Sequence, residues 1–145
     1  MMRRVAMMAV VILIACSAPA VEPAPSASAS ATPRYSAYSV VDATTQPPGS
    51  ILVTLSNYAF TPSTLSLPAG KVVLFLANPS TETHDFSLRE PSRPSFVNVV
   101  AVTGRIDPGK SVLITIDSLP AGVYRATCTV EDHAARGMVA DVTVK

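Results

Sequence analysis

Short runs of alternating or apolar residues, separated by turn residues, follow one another from residue 50 to residue 145. Near the C-terminus Ala140, Val142 and Val144 alternate with Asp141 and Thr143, which is the two-residue period of a strand with one buried face. Turns rich in proline and glycine separate the runs at 68–70, 107–110 and 120–122. Because no helical period is present, the pattern predicts an all-β, Greek-key β-sandwich of seven to eight strands.

The predicted strands are short and belong to one domain, residues 50–145. They are expected at 51–55, 64–67, 71–77, 84–88, 96–102, 112–116, 124–128 and 138–144. A chain of 145 residues has room for one ordinary domain. Its 11 Lys and Arg residues nearly balance its 10 Asp and Glu residues, so it offers no basic surface for nucleic acid.

Residues 1–15 have the character of an export signal. Two arginines near the N-terminus precede an unbroken apolar run that is too short to span a bilayer permanently. The run ends at 13–16 in Leu-Ile-Ala-Cys, which resembles a bacterial lipoprotein signal, cleaved before a cysteine that then carries lipid. We expect a signal peptide over 1–15 and lipid on Cys16. The alternative is an ordinary signal cleaved near Ala18 or Ala20.

Residues 16–49 are predicted to be a flexible tether. Six prolines and many alanines and serines occupy this stretch, with few large apolar side chains. Such a segment has too little to bury to offset the entropy of ordering it. Lipid and tether together predict an exported domain, anchored to the outer side of the cytoplasmic membrane or facing the periplasm.

Four residues carry side chains that bind soft metals. Cys128, His133 and Met138 follow a Cys-x4-His-x4-Met spacing on the predicted loop between two adjacent strands. The only other histidine, His84, lies 44 residues before Cys128, at the start of a predicted strand. Two imidazoles and one thiolate with a weak axial thioether are the ligand set of a blue-copper electron-transfer site. With only two histidines, centres that need several imidazoles are excluded.

Residues 50–145 resemble the cupredoxin family of type 1 blue copper proteins. The Cys-x4-His-x4-Met spacing is similar to that of auracyanin, rusticyanin and sulfocyanin. Further motifs that carry the resemblance are the segments 58–62, 74–78, 83–86, 106–109, 120–124 and 137–139. The resemblance implies one copper ion, held by His84, Cys128 and His133 as strong ligands and by Met138 as the axial ligand.

The chain departs from the family pattern at two places. Asp85 follows the first histidine where the family often has asparagine, and Thr129 is its expected partner on the other ligand loop. Groups that contact metal ligands tune both their orientation and the reduction potential. Glu131 and Asp132 stand where related proteins tend to have Pro-Gly, which makes the loop more acidic, with Arg136 as a partial counterweight.

The resemblance also implies an electron port at an exposed edge of His133. The surrounding partner surface is expected to comprise Ala134, Ala135, Glu131, Asp132 and Arg136. With all four ligands from the protein no position is open to a substrate, so an electron carrier rather than an enzyme is expected. Its expected partners are redox proteins such as a cytochrome or a membrane electron-transfer complex, without nucleic acid or a small-molecule substrate. We expect a monomer.

Two other functions are compatible with the fold. A copper-binding module could deliver the metal instead of passing electrons, although Met138 is the only methionine outside the export signal. A β-sandwich without metal could serve as an interaction domain, which would leave the four ligand residues unexplained. Zinc can also occupy a site of this composition, so metal content alone does not distinguish these functions.

Overall fold

A computed structural model describes residues 37–92 and 98–145. The predicted export signal, the lipidation at Cys16 and most of the predicted tether lie outside the described residues. Part of the predicted strand 96–102 also lies outside them. Within the described ranges, no helix is long and apolar enough to cross a membrane.

The described residues form two five-stranded sheets. The strands are β1 (Tyr38–Asp42), β2 (Ile51–Ser56), β3 (Ala59–Thr61), β4 (Thr64–Leu67), β5 (Gly70–Ala77), β6 (Ser87–Arg89), β7 (Val99–Val102), β8 (Ser111–Leu119), β9 (Gly122–Thr127) and β10 (Val139–Val144). The first sheet has the order β1-β8-β5-β2-β3 and the second the order β4-β10-β9-β6-β7. Both sheets are mixed, because β2 runs parallel to β5 and β4 parallel to β10. The predicted all-β fold is confirmed, with ten described strands instead of seven to eight.

Strand β1 lies inside the stretch predicted to be tether. It pairs antiparallel with β8, from Tyr38 opposite Ile116 to Asp42 opposite Val112. The predicted domain boundary at residue 50 is therefore wrong, and the folded domain includes at least residues 38–42. A five-residue strand beside prolines and serines has too weak a local pattern to be recognised, and its partner residues lie at least 70 positions away along the chain.

The inward faces of the two sheets form one hydrophobic core. Leu74, Leu76 and Ile114 in the first sheet are fully buried, as are Ala126 and Val142 in the second. Such packing is the expected result of apolar side chains at every second position, and each leucine, isoleucine or valine among them contributes about 1.5–3 kcal/mol when fully buried.

The sequence favours core positions for four aromatic residues of the domain, Tyr58, Phe60, Phe75 and Tyr124, and the core cluster includes two of them. Phe60 and Tyr124 lie in the core, and half-buried Tyr58 packs against it. Phe75 is buried outside the core cluster, at a strand position that alternates with the core residues Leu74 and Leu76. Three of the four therefore contact the core, while Phe75 belongs to the opposite face of the first sheet.

The pairing of β6 with β9 brings distant parts of the chain together at one end of the sandwich. Ser87 in β6 lies opposite Thr127 in β9, so the residues just before Ser87 lie beside those just after Thr127. His84 was predicted to begin a strand, but the observed strand β6 begins only at Ser87, and His84 forms an isolated antiparallel bridge with Ile106. Residues 84 and 85 therefore meet Cys128 although more than 40 residues separate them in sequence.

Candidate metal centre

The ligand atoms of His84, Cys128 and His133 converge in the interior. The two histidine Nδ1 atoms lie 3.2 Å apart, and Cys128 Sγ lies 3.6 Å from His133 Nδ1. One ligand atom from each residue lies within 4.8 Å of the others, and all three residues are buried. Three soft or borderline donors are thus held together away from water.

His84 is fixed on both sides of its ring and through its backbone. Its backbone N–H donates to the carbonyl oxygen of Ile106 at 3.1 Å, and the Ile106 N–H donates in return at 2.7 Å. Ser80 Oγ lies 3.0 Å from the ring Nε2. Because Nε2 faces Ser80, the other ring nitrogen, Nδ1, is the one that faces His133.

The loop from Cys128 to Met138 is closed by its own backbone. The Cys128 N–H donates to the Met138 carbonyl at 3.1 Å, and the Met138 N–H donates to the His133 carbonyl at 2.9 Å. Gly137 has a φ of 109°, a backbone conformation that residues other than glycine rarely adopt. Met138 is fully buried at the end of this loop. Three of the four predicted ligands are thus carried by one closed loop.

Asp85 joins the two ligand segments. Its carboxylate accepts a hydrogen bond from the Thr129 backbone N–H at 2.6 Å and another from Thr129 Oγ1 at 2.6 Å. The Asp85 N–H lies 3.5 Å from Cys128 Sγ, within reach of a hydrogen bond to sulfur. Arg105 Nη1 lies 3.9 Å from the same carboxylate. The sequence pointed to Asp85 and Thr129 but not to Arg105, which lies on a different segment.

Asn78 is a positioning residue that the sequence analysis missed. Its side-chain amide donates to the carbonyl oxygens of Glu82 and Ile106, both at 2.8 Å, and its Oδ1 accepts from the Ser80 N–H and Ser80 Oγ. Asn78 thereby shapes the turn that carries Ser80 to the His84 ring. The signal was present, because Asn-Pro-Ser directly after a buried strand is typical of a turn built on an asparagine side chain.

His133 is not exposed. Only 4% of its surface is accessible, although the predicted partner residues around it on the loop are exposed. The Tyr58 ring lies against it with ring centroids 4.8 Å apart, and Arg136 in turn lies over Tyr58. Little of His133 is therefore accessible, since Tyr58 of the distant β2–β3 turn lies against its ring, and the electron port expected at its edge stays a prediction.

Burial shifts two of the ligands toward their neutral forms. The pKa of His84 is lowered, chiefly by burial and next by the charge of His133. The pKa of Cys128 is raised, chiefly by burial. A neutral imidazole is ready to bind a metal, whereas the thiol must release its proton when the thiolate binds, so metal binding here is coupled to proton release.

Two of the three separations between these ligand atoms fit one shared metal ion. Metal–nitrogen and metal–sulfur bonds of about 2.0 and 2.3 Å around one ion put neighbouring ligand atoms roughly 3.3–3.9 Å apart. The observed 3.2 Å and 3.6 Å separations lie at or near that range. A buried set of two imidazoles and one thiolate matches the trigonal ligands of a type 1 copper site.

Comparison with known families agrees with this geometry. A family profile described as a cupredoxin-like domain matches residues 6–140. The chain belongs to the cupredoxin-like family. His84, Cys128 and His133 form a candidate type 1 copper site of this cupredoxin. No match was found among curated protein sequences.

Solved cupredoxin structures share the fold. Auracyanin from the photosynthetic bacterium Roseiflexus castenholzii is 22% identical with a TM-score of 0.59, over 69% of this chain and 99% of that one. Auracyanin A from Chloroflexus aurantiacus, a "blue" copper protein, is 21% identical with a TM-score of 0.58, over 68% and 100%. Amicyanin from Paracoccus versutus is 17% identical with a TM-score of 0.55, over 74% and 92%. At these identities the likeness concerns the fold.

Proposed function

We propose that this cupredoxin binds one copper ion and carries single electrons between redox proteins. The observation that carries the proposal is the buried convergence of His84 Nδ1, Cys128 Sγ and His133 Nδ1. Met138 would be the weak axial ligand. Copper, when bound, supplies a one-electron couple between Cu(II) and Cu(I), and the chain's own residues hold the ligands in one arrangement for both states.

The architecture of the ligand segments suits an electron carrier better than an enzyme. Backbone bonds fix His84 and the Cys128–Met138 loop, and Asp85 ties the two together. A rigid ligand set needs little rearrangement when the charge on the metal changes. With four protein ligands and a buried His133, no open position is left for a substrate.

The membrane attachment proposed for this carrier rests on the sequence of residues 1–36. A lipid on Cys16 would anchor an exported chain at the membrane, and the tether would be the segment between Cys16 and β1. Because β1 begins at Tyr38, about 21 residues remain, which reach at most about 65 Å at roughly 3.1 Å per residue. The carrier would be a monomer that serves redox partners near that surface.

The test is to add Cu(II) to the metal-free full chain and record visible absorption and EPR spectra. We expect one equivalent of copper to give an intense blue band and a narrow parallel hyperfine splitting. Cys128→Ser should lose the band. Cys16→Ser is the matched control, since it removes the other cysteine and should keep the band.

Two outcomes would contradict the proposal. A pale spectrum with ordinary hyperfine splitting would favour copper delivery, because the metal would then sit in a different coordination. Absence of stoichiometric binding would overturn both copper functions and leave a β-sandwich with another role.

A further inference from the structure

Three side chains from two parts of the chain, the ligand loop and the β2–β3 turn, stack in series at the candidate site. The His133 and Tyr58 rings meet edge to face, with centroids 4.8 Å apart and planes at 69°. The guanidinium carbon of Arg136 lies 3.4 Å from the Tyr58 ring centroid. An arginine over an aromatic face is attracted by the ring's negative face, and edge-to-face rings are a favoured geometry.

Arg136 and Tyr58, the two members of this stack that are not candidate ligands, are both connected to the ligand segments. Arg136 belongs to the ligand loop, where its backbone N–H donates to the Asp132 carbonyl at 3.0 Å. Next to Tyr58, the side-chain amide of Asn57 donates to Thr81 Oγ1 at 3.1 Å, three residues before His84. The stack therefore bridges the β2–β3 turn and both ligand segments.

The stack accounts for the burial of His133. Residues 131, 132 and 134–137 around it are exposed, yet His133 itself is 4% exposed. Tyr58 supplies the ring that lies against the imidazole, and Arg136 covers Tyr58 on the solvent side.

We propose that Tyr58 and Arg136 form a cap that orients His133, restricts access to the ligand cluster and raises the reduction potential of the bound metal. Tyr58 acts by contact with the imidazole, and Arg136 acts by holding Tyr58 and by its permanent positive charge. A nearby positive charge disfavours the more highly charged oxidised ion, so it raises the potential. The statement about the potential rests on the proposed copper function, whereas the statement about access does not.

Access is tested on the metal-free full chain by the rate at which a thiol reagent labels Cys128. Mass spectrometry separates labelling of Cys128 from labelling of Cys16. We expect Tyr58→Ala to increase the rate about tenfold, as for loss of roughly 1.4 kcal/mol of closing free energy, and Arg136→Ala to increase it by a smaller factor. Tyr58→Phe should label at the wild-type rate because it keeps the ring.

The control for these variants is Arg125→Ala. Arg125 pairs with Asp141 at 3.8 Å between β9 and β10 and has no part in the stack, so its loss should leave Cys128 labelling unchanged. Rates for Tyr58→Ala and Arg136→Ala equal to that of Arg125→Ala would overturn the cap. Because Arg136 is exposed, its truncation is expected to fold even if Tyr58→Ala does not.

The electrostatic role is tested by voltammetry on the copper-loaded chain. Arg136→Ala should lower the reduction potential. Arg136→Lys keeps the positive charge and should keep the wild-type potential, and Arg125→Ala should also leave the potential unchanged. A potential that does not fall in Arg136→Ala, in a variant that keeps the blue band, would overturn this role. Failure of the wild-type chain to develop a blue band would instead count against the copper function, and the labelling result would still stand.

Discussion

At the scale of single residues, Asp85 has the most unusual surroundings in the candidate site. A carboxylate with 5% of its surface exposed accepts two short hydrogen bonds from Thr129 and faces the half-exposed Arg105. Burying a charge is costly unless it is paired and hydrogen-bonded, and Thr129 and Arg105 meet both needs. The two ligand segments are thus joined by hydrogen bonds to the carboxylate of Asp85, at the position where the family often has the amide of asparagine.

This charge should hold the reduction potential of bound copper down. A negative group near the site favours the oxidised ion, so Asp85→Asn should raise the potential, by an amount on the order of the 59 mV that corresponds to a tenfold change in a one-electron equilibrium. Asparagine can still accept from the Thr129 N–H and donate to Thr129 Oγ1, so the tie should remain. Voltammetry is the measurement.

Asp141→Asn is the control for this experiment. It removes a carboxylate that is exposed and paired with Arg125, away from the ligand segments, and should not change the potential. If Asp85→Asn lowered the potential or left it unchanged while the blue band persisted, the electrostatic role given to Asp85 would be wrong.

At the scale of elements, β1 and the ligand segments were the hardest parts to predict. Both depend on pairing with distant chain: β1 with β8, and His84 with Ile106. The periodic strands β5, β8 and β10 were predictable, because alternation of side chains is a local property of the sequence. His84 was expected at the start of a strand, yet it lies in an irregular segment and forms a single β-bridge, with Ile106.

Strand β1 should contribute measurably to stability. Val40 packs against the core, and β1 covers one edge of the first sheet. A fragment of residues 50–145 should therefore unfold more easily than residues 37–145, by about 2 kcal/mol, the scale of one buried apolar side chain. Urea denaturation of both metal-free fragments measures the difference.

A fragment of residues 44–145 distinguishes the contribution of β1 to stability from that of the connection between β1 and β2. It lacks β1 but keeps most of the residues between β1 and β2, and it should be nearly as unstable as 50–145. Equal stability of residues 37–145 and 44–145 would mean that β1 pairs with β8 without stabilising the domain.

At the scale of the whole molecule, the site occupies one end of the sandwich, where segments from both sheets meet. The β2–β3 turn of the first sheet supplies Tyr58, and the second sheet supplies the segments beside β6 and β9. Packing of the two sheets therefore assembles the site and its cap together. The proposed membrane anchor belongs to residues 1–36, and the sequence of that segment is what supports it.

Attachment through Cys16 can be tested in the full chain. Expressed in a bacterium supplied with labelled palmitate, the wild-type chain should incorporate label, and Cys16→Ser should not, because the sulfur that accepts the lipid is gone. Cys128→Ser is the matched control and should incorporate label as the wild type does. Equal labelling of wild type and Cys16→Ser would exclude this anchor and favour an ordinary cleavage near Ala18 or Ala20.

The sequence alone was sufficient for the all-β class, for most of the strands and for the spacing of Cys128, His133 and Met138. Each of these depends on residues that are close together along the chain, so a local pattern records them. No local pattern links His84 to Cys128. It entered as the only other histidine of the sequence, and the resemblance to cupredoxins supported it as a ligand.

Only the tertiary structure decided the edge strand β1, the pairing of Arg105 with Asp85, and the cap of Tyr58 and Arg136 over His133. These depend on side chains and strands that meet across large sequence separations, where the contact energy comes from packing and charge in the folded state. Half-buried Tyr58 looked like an ordinary core residue in the sequence, and the packing of the β2–β3 turn against the ligand loop gave it a place beside the site.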